Sequence, residues 1–474
     1  MDESLEPGTG RRPIVIVSNR GPVTFALDPE AAGGVSARRG AGGLVSGLGP
    51  LVAGTDAIWI AAAMTNGDRS VAARGVTDAE GYRVRLVDLD PALWSDYYDR
   101  VCNEALWFAH HGLFDPVYDP AWPPGWVEGP WAAYRAVNQR VAEVVIADAP
   151  EGAVVLVQDY HLCLLAPTVR AARPDLRLVH FSHTPFAPPG WLRMLPDAVR
   201  LELLAGLAAH HACGFHSRRW ERDFLDSCQN AHQVPSPTFV SALAPDPDDL
   251  AATAGGSASA AARAELEEPV GDRDFVVRVD RIELSKNVLR GFQAYEALLE
   301  QQPERRETIV FGAFVYPSRL GVAAYDRYAR AVIEKVGEIN ARFGTSTWTP
   351  IHYDPSDDYP RSVAALQRAD VVIVNPIRDG LNLVAKEAAI LSQRHAQLVL
   401  SPEAGAWEEL GHRGAFRADP FDVGATAQAI ADALDTDPAE RRSRAEDLRA
   451  AVAARTPAHW LADQLRAADA DLPG

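Results

Sequence analysis

The sequence predicts an α/β protein made of two doubly wound, Rossmann-like halves. Three observations lead there. Short β-branched runs without polar alternation, such as PIVIVSNR at 13–20, suit strands buried on both faces of a parallel sheet. Long amphipathic stretches separate most of these runs, and strands alternating with helices imply βαβ crossovers. The pattern breaks at 236–269 and then resumes, so two domains are expected rather than one.

Strands are expected at 13–20, 153–159 (AVVLVQD), 176–183 (LRLVHFSH), 274–280 (DFVVRVD), 307–314 (ETIVFGAF) and 370–376 (DVVIVNP). Helices are expected at 131–148 and 322–343. In the second, Tyr325, Tyr328, Ala329, Val332, Val336 and Ile339 recur at three- and four-residue spacing and mark one apolar face. The prolines, small residues and acids of 236–269 read as a surface linker. The boundary is placed near residue 245, giving domains at 12–245 and 246–454. The Ala/Arg/Glu-rich stretch around 438–470 reads as a helix able to pack on either half, and its last part, 455–470, is assigned to complete the first domain.

Composition narrows the function. The 474 residues carry 46 Lys and Arg against 64 Asp and Glu, a net charge of −18. That balance opposes a nucleic-acid backbone as the main ligand. With no long apolar run and an acidic, polar start (MDESLEPGTGRRP), neither a membrane span nor a signal peptide is expected. A cytoplasmic protein follows, and a homo-oligomer is left open. Cys102, Cys163, Cys213 and Cys228 form no CxxC pair, so neither a zinc knuckle nor a disulfide framework is indicated.

Chemistry is expected at the strand ends, where α/β folds bind ligands. SNRGPV (18–23) and RRGAGGLVSGLG (38–49) bring glycines that let backbone amides approach an anion. Their spacing is not that of a dinucleotide fingerprint, so no nicotinamide cofactor is expected. QDYHL places Asp159, Tyr160 and His161 at one strand end, and His183 stands at another. Arg281 and Lys286, just past a strand, suit a diphosphate. After DVVIVNP come Asp379, Gly380, Asn382, Leu383, Lys386 and Glu387 at an expected helix N-terminus, where amides suit a phosphate and Glu387 can accept from two ribose hydroxyls. Each segment has a plain structural alternative: a flexible loop, a core histidine, a solvated basic loop, a helix cap. The DxD triplets Asp88/Asp90, Asp246/Asp248 and Asp435/Asp437 lie outside these motifs and read as surface acids, so no metal or other cofactor is expected.

Taken together, SNR and AGGL, YY…N…LW (97–107), QDYHL, HTPF…LP, Arg281 with Lys286, PSR (317–319) and RDGLNLVAKE occur in one characteristic order. From about Ile14 to Asp422 the chain resembles the trehalose-6-phosphate synthases, retaining glycosyltransferases of the GT-B arrangement in which two Rossmann-like domains face each other across a cleft. The resemblance implies glucose transfer from a nucleoside diphosphate glucose to glucose 6-phosphate by front-face attack, the leaving phosphate taking the acceptor proton. It makes 12–245 the acceptor-binding domain and 246–454 the nucleotide-sugar-binding domain. Donor contacts implied are Gly42, Gly43, His183, Arg281, Lys286, Asp379, Gly380, Asn382, Leu383 and Glu387. Acceptor contacts implied are Arg20, Tyr98, Trp107, Asp159 and Arg319, the two arginines near the sugar phosphate. Asp159, His183, Arg281 and Lys286 form the implied catalytic set.

Two segments depart from the family pattern. In IWIAAAM, Trp59 is kept but Ala62 stands where a second tryptophan is usual, so the acceptor pocket is expected to be either wider or filled from elsewhere. The stretch 352–370, HYDPSDDYPRSVAALQRAD, differs near the nucleobase. Asp357 or Asp358 there can accept from the N1–H and 2-amino group of guanine, so GDP-glucose is favoured over UDP-glucose. A synthase or pseudo-glycosyltransferase with a cyclitol or glycerol phosphate acceptor, a sugar-nucleotide epimerase, and a catalytically silent regulatory homologue are the alternatives.

Overall fold

The apolar run at 13–20 becomes the strand Ile14–Ser18, with Val15, Ile16 and Val17 fully shielded from water. It has no exposed edge because Val154–Gln158 pairs with one side and Ile58–Ala62 with the other, both in parallel. The computed structural model describes residues 12–31, 33–40, 43–319 and 321–469. Ala242–Trp460 with His111–Leu113 forms one unit, and the other described residues, including those from Leu461 onward, form another.

Among the described residues the first unit holds an eight-stranded sheet. Its order is Thr238–Val240, Ala212–Phe215, Arg177–Ser182, Val154–Gln158, Ile14–Ser18, Ile58–Ala62, Tyr82–Val87, Val76–Ala79. Only the last pair is antiparallel. The winding reverses beside Ile14–Ser18, so its carboxyl end is the switch point at which open α/β sheets bind ligands. Val23–Leu27 and Val35–Arg39 form a separate antiparallel pair.

In the second unit six parallel strands run Ile351–Asp354, Ile309–Pro317, Asp274–Ile282, Val371–Val374, Gln397–Leu400, Phe416–Arg417. Here the reversal falls between Asp274–Ile282 and Val371–Val374, the two strands that lead into RIELSK and RDGLN. The expected apolar helix is Ala323–Phe343, with Tyr325, Ala329, Val332, Val336 and Ile339 buried. The stretch at 131–148 is the helix Pro130–Asp148.

Two expectations are corrected. The segment 236–269 is not a linker: it forms the strand Thr238–Val240 and the helices Pro247–Gly255 and Ser257–Val270. Alanine is the strongest helix former, Asp246 caps the first helix through the amides of Asp248 and Asp249, and Leu250, Ala262, Leu266 and Val270 are buried. The stretch 438–470 is two helices, Pro438–Ala453 and Pro457–Ala468, separated before Pro457 because the residue preceding a proline is pushed out of helical geometry. All four cysteines are buried and unbridged. Among the described residues no helix is long and apolar enough to cross a membrane.

Candidate functional site

In the first unit the site grows from the end of Ile14–Ser18. Trp59, 1% exposed, donates from Nε1 to Ser18 Oγ at 2.8 Å, and Ser18 Oγ donates to the Arg20 carbonyl at 2.6 Å. Trp59 is thus a core residue that fixes the Arg20 backbone. Asn19 accepts from the Tyr97 hydroxyl at 2.8 Å, and exposed Arg20 reaches the Tyr98 hydroxyl at 3.2 Å. Both tyrosines lie on Ser95–Leu106, a helix wound wider than α, a form common near functional sites. Tyr98 stacks between Trp94, 5.0 Å away, and His161, 6.1 Å away. Trp107 is largely shielded, its ring 5.9 Å from Tyr160. Ala62 is a buried strand end whose amide donates to Asn19 O at 3.3 Å.

Asp159 has φ +70° and ψ 173°, a region nearly reserved for glycine that costs about 1–3 kcal/mol. Its surroundings impose it. The amide donates to Phe181 O at 2.8 Å, His180 Nε2 donates to its carbonyl at 3.1 Å, and Oδ1 accepts from the His183 and Thr184 amides at 3.2 and 3.4 Å. The carboxylate is therefore pinned between two strand ends. Burial, with His180 nearby, pushes His183 down to about 3. Its ring stays neutral, with one nitrogen 2.9 Å from Gln158 Oε1 and the other 3.2 Å from His216 Nε2. His183 is thus a hydrogen-bonding group and not an acid at neutral pH.

In the second unit the end of Asp274–Ile282 carries interlocked charges. Lys286 Nζ is 2.5 Å from Asp379 Oδ2 and 3.5 Å from Asp280 Oδ1. Burial alone would push its ammonium down; the two carboxylates reverse this and hold it charged. Arg278, fully buried, pairs with Asp280 at 3.0 Å. Glu283, also fully buried, sits 2.9 Å from Arg281 and 3.9 Å from Arg319. Burial raises the Glu283 carboxyl, but Arg281 and then Arg319 bring it below its ordinary value. Four cations against three carboxylates leave this strand end positive. Arg319 has φ +50° and donates to the Tyr325 hydroxyl at 2.8 Å.

The loop after Val371–Val374 closes on the same cluster. Asn382, at φ +75°, donates to Asp379 Oδ2 at 3.1 Å and caps the helix Leu383–Leu391 through the Ala385 amide. Gly405 packs so tightly here that a Cβ on it would lie 2.0 Å from Gly380 O. The expectation that the Asp379 amide belongs to a phosphate cradle is corrected: it donates to Glu403 O at 3.0 Å. Buried Lys386 is structural, paired with Glu409 and donating to Leu243 O at 2.8 Å. Glu387 is half-buried; burial and the Asp249 carboxylate push it up to about 7, opposed by a hydrogen bond from Tyr359.

Asp358 caps the helix Tyr359–Arg368 through the Arg361 amide, whereas Asp357 faces the Tyr316 hydroxyl, which burial and then Asp357 push up to about 12. The DxD acids serve similarly: Asp90, Asp246 and Asp437 are helix caps. Gly42 lies outside the described residues, and Gly43 begins the helix Gly43–Val52.

Within the first unit, then, Arg20 meets Tyr98 and Asp159 meets His183. Within the second, Lys286, Asp379 and Asn382 form one connected group and Arg281 and Arg319 share Glu283 in a neighbouring one. Sequence reasoning missed Asp280 and Glu283. The signal was available in the alternating charges of VDRIELSK, which is how a strand end arranges several cations without mutual repulsion.

The sequence model described as glycosyltransferase family 20 matches residues 12–470. A bifunctional trehalose-6-phosphate synthase/phosphatase of Thermoproteus tenax is 32% identical over 482 residues; the match covers 95% of this chain and 62% of that protein. A trehalose-6-phosphate synthase of Mycobacterium sp. (strain KMS) is 32% identical, with 96% of this chain and 94% of that protein covered. The crystal structure of a UDP-forming alpha,alpha-trehalose-phosphate synthase from Burkholderia xenovorans in complex with glucose-6-phosphate aligns at TM-score 0.82 and 26% identity, covering 97% of this chain and 100% of that one. An E. coli structure bound with UDP-2-fluoro glucose aligns at TM-score 0.82 and 25% identity, with the same coverage.

Proposed function

The chain belongs to glycosyltransferase family 20 and has its two-unit GT-B fold, and from that premise we propose that it transfers glucose from a nucleoside diphosphate glucose to glucose 6-phosphate, giving α,α-trehalose 6-phosphate with retention. The observation that carries this reading is the charge cluster of the second unit. Departure of a nucleoside diphosphate develops negative charge, and Lys286 and Arg281 stand preorganised for it beside the loop of Asp379, Gly380, Asn382 and Leu383. The proposal gives no step to a metal. Arg20 with Tyr98, and Arg319, are the proposed readers of the acceptor phosphate; Asp159 and Trp107 line the acceptor sugar. A cytoplasmic setting belongs to the same proposal.

The decisive experiment incubates the protein with glucose 6-phosphate and UDP-, GDP- or ADP-glucose and identifies the product. An α,α-1,1-linked trehalose 6-phosphate is expected. An inverted linkage, or donor turnover without acceptor, would overturn the proposal, the latter in favour of an epimerase.

GDP-glucose is the proposed donor ahead of UDP-glucose, and the reading now rests on Asp357 alone, since Asp358 is committed to a cap. Two features support it. Tyr316, which Asp357 faces, also feels Arg281, and Tyr359, in the same loop, bonds to Glu387, the proposed ribose acceptor. An unmatched buried edge costs about 1–3 kcal/mol, hence roughly 5- to 150-fold discrimination. Relatives from Arabidopsis thaliana and Schizosaccharomyces pombe are named UDP-forming, so side-by-side kcat/KM values decide, and a preference for UDP-glucose refutes the base assignment only.

Two substitutions test the ligand contacts. Arg319→Ala or Arg20→Ala should raise KM for glucose 6-phosphate about 10- to 100-fold, the worth of one charge-assisted contact, with a far smaller change for the donor. An equal loss with unphosphorylated glucose would show that neither arginine reads the phosphate.

Glu387 predicts a pH dependence. Its pKa of about 7 lies above the ordinary carboxyl value, so the carboxyl is protonated below about 7 and ionised above it. Only the ionised form accepts from both ribose hydroxyls. Donor affinity should therefore strengthen as pH rises from 6 to 8. Calorimetric titration with a nucleoside diphosphate glucose, which has no proton of its own to lose in this range, measures it. Glu387→Gln should flatten the profile.

A further inference from the structure

The last helix, Pro457–Ala468, reaches into the polar core of the first unit. Gln464 and Gln158 are both fully buried, and Gln158 Nε2 donates to Gln464 Oε1 at 3.2 Å. The remaining end of the Gln158 amide, Oε1, lies 2.9 Å from His183 Nε2. His183 Nδ1 in turn lies 3.2 Å from His216 Nε2. A line of polar side chains thus runs from the end of the chain to His183, its most exposed member.

Such a line has a direction. An amide has one accepting end and one donating end, and a neutral imidazole has one nitrogen of each kind. With Gln158 Oε1 toward His183, the imidazole hydrogen must sit on Nε2, leaving Nδ1 to accept from His216. Were the amide reversed, its NH₂ would face Nε2 and drive the hydrogen to Nδ1, which would then donate to His216 Nε2. Gln464 Oε1 holds the amide in the observed sense. The helix carrying it is fixed by Ser241 Oγ donating to Asp463 Oδ2 at 2.6 Å and Arg177 Nε donating to Ala468 O at 2.8 Å. Burial keeps the His183 ring neutral, so its tautomer, rather than its charge, is the variable left to set.

We propose that Gln464 is a positioning residue that acts through Gln158 to fix the tautomer and ring orientation of His183. With Nε2–H bonded to Gln158 Oε1 and Nδ1 accepting from His216 Nε2, the ring is held in one orientation at this strand end. This deepens the proposed function and rests on that reading together with the donor contact that the family resemblance implies for His183.

The test uses the full chain labelled with ¹⁵N-histidine. Long-range ¹⁵N–¹H correlation spectra read the His183 tautomer without substrate, and initial rates with each substrate varied read the kinetics. The unaltered protein should show the Nε2–H form. Gln464→Glu keeps an acceptor facing Gln158 and should preserve both tautomer and kinetics. Gln464→Leu removes the acceptor and should mix the tautomers and lower kcat/KM for the donor about 10-fold, close to the worth of one neutral hydrogen bond, with KM for glucose 6-phosphate unchanged. Gln464→Met, unbranched and of the same length, serves the same purpose should the leucine variant fold poorly. An unaltered tautomer in a folded leucine or methionine variant overturns the relay. A changed tautomer with unaltered donor kinetics overturns its link to the donor. Absence of synthase activity in the unaltered chain would instead fall on the proposed function, because the tautomer is read independently of turnover.

Discussion

Lys286→Ala is expected to lower turnover by about 10²- to 10³-fold, the range seen when a preorganised charge or donor at a developing anion is removed. The geometry gives the reason. The ammonium is held 2.5 Å from Asp379 and 3.5 Å from Asp280, so no side chain has to reorganise as the diphosphate departs. The same geometry predicts a second effect. Removing one partner from a buried charge group leaves the others uncompensated, at about 3–5 kcal/mol. Denaturant unfolding should therefore show a clearly lower midpoint for Lys286→Ala. Arg281→Ala should behave differently: its side chain is 44% exposed, and Glu283 keeps Arg319. Near-normal stability is expected, with turnover down about 10²-fold. Near wild-type turnover in both folded variants would mean that the donor diphosphate binds elsewhere.

Glu283→Gln is the second large effect. Glu283 is fully buried, yet one of its oxygens faces Arg281, the proposed donor-phosphate contact, and the other faces Arg319, the proposed acceptor-phosphate contact. The amide fills the same space and withdraws the charge that draws both guanidinium groups to fixed positions. KM for the donor and for glucose 6-phosphate should rise together, each about 10-fold, since a hydrogen bond to a charged group is worth about 1.5–3 kcal/mol. Arg319→Ala should raise the acceptor value alone. Initial-rate measurements with each substrate varied in turn distinguish the two patterns. A rise in one KM only would show that Glu283 anchors one arginine rather than both.

The strands whose ends carry the candidate residues of each unit, and the residue types at those ends, are legible in the sequence. Ile14–Ser18, Val154–Gln158, Arg177–Ser182 and Asp274–Ile282 were legible because a strand buried on both faces must be apolar without alternation. Arg281, Lys286, Asp379 and Glu387 were legible because their order along the chain is local. Weaker signals failed. Ala212–Phe215 and Phe416–Arg417 are too short to show a period, and in the stretch 236–269 the prolines and acids mask the helix preference of its alanines. The partners of these side chains come from long-range packing. Glu283 meets Arg319 across 36 residues and Gln464 meets Gln158 across 306. Asp358 proved to be a helix cap and Trp59 a core residue, distinctions that no composition or spacing carries. The physical reason is that secondary structure follows from local backbone preference and periodicity. The charge state, tautomer and orientation of a functional side chain depend on which buried groups the fold brings within about 3 Å of it.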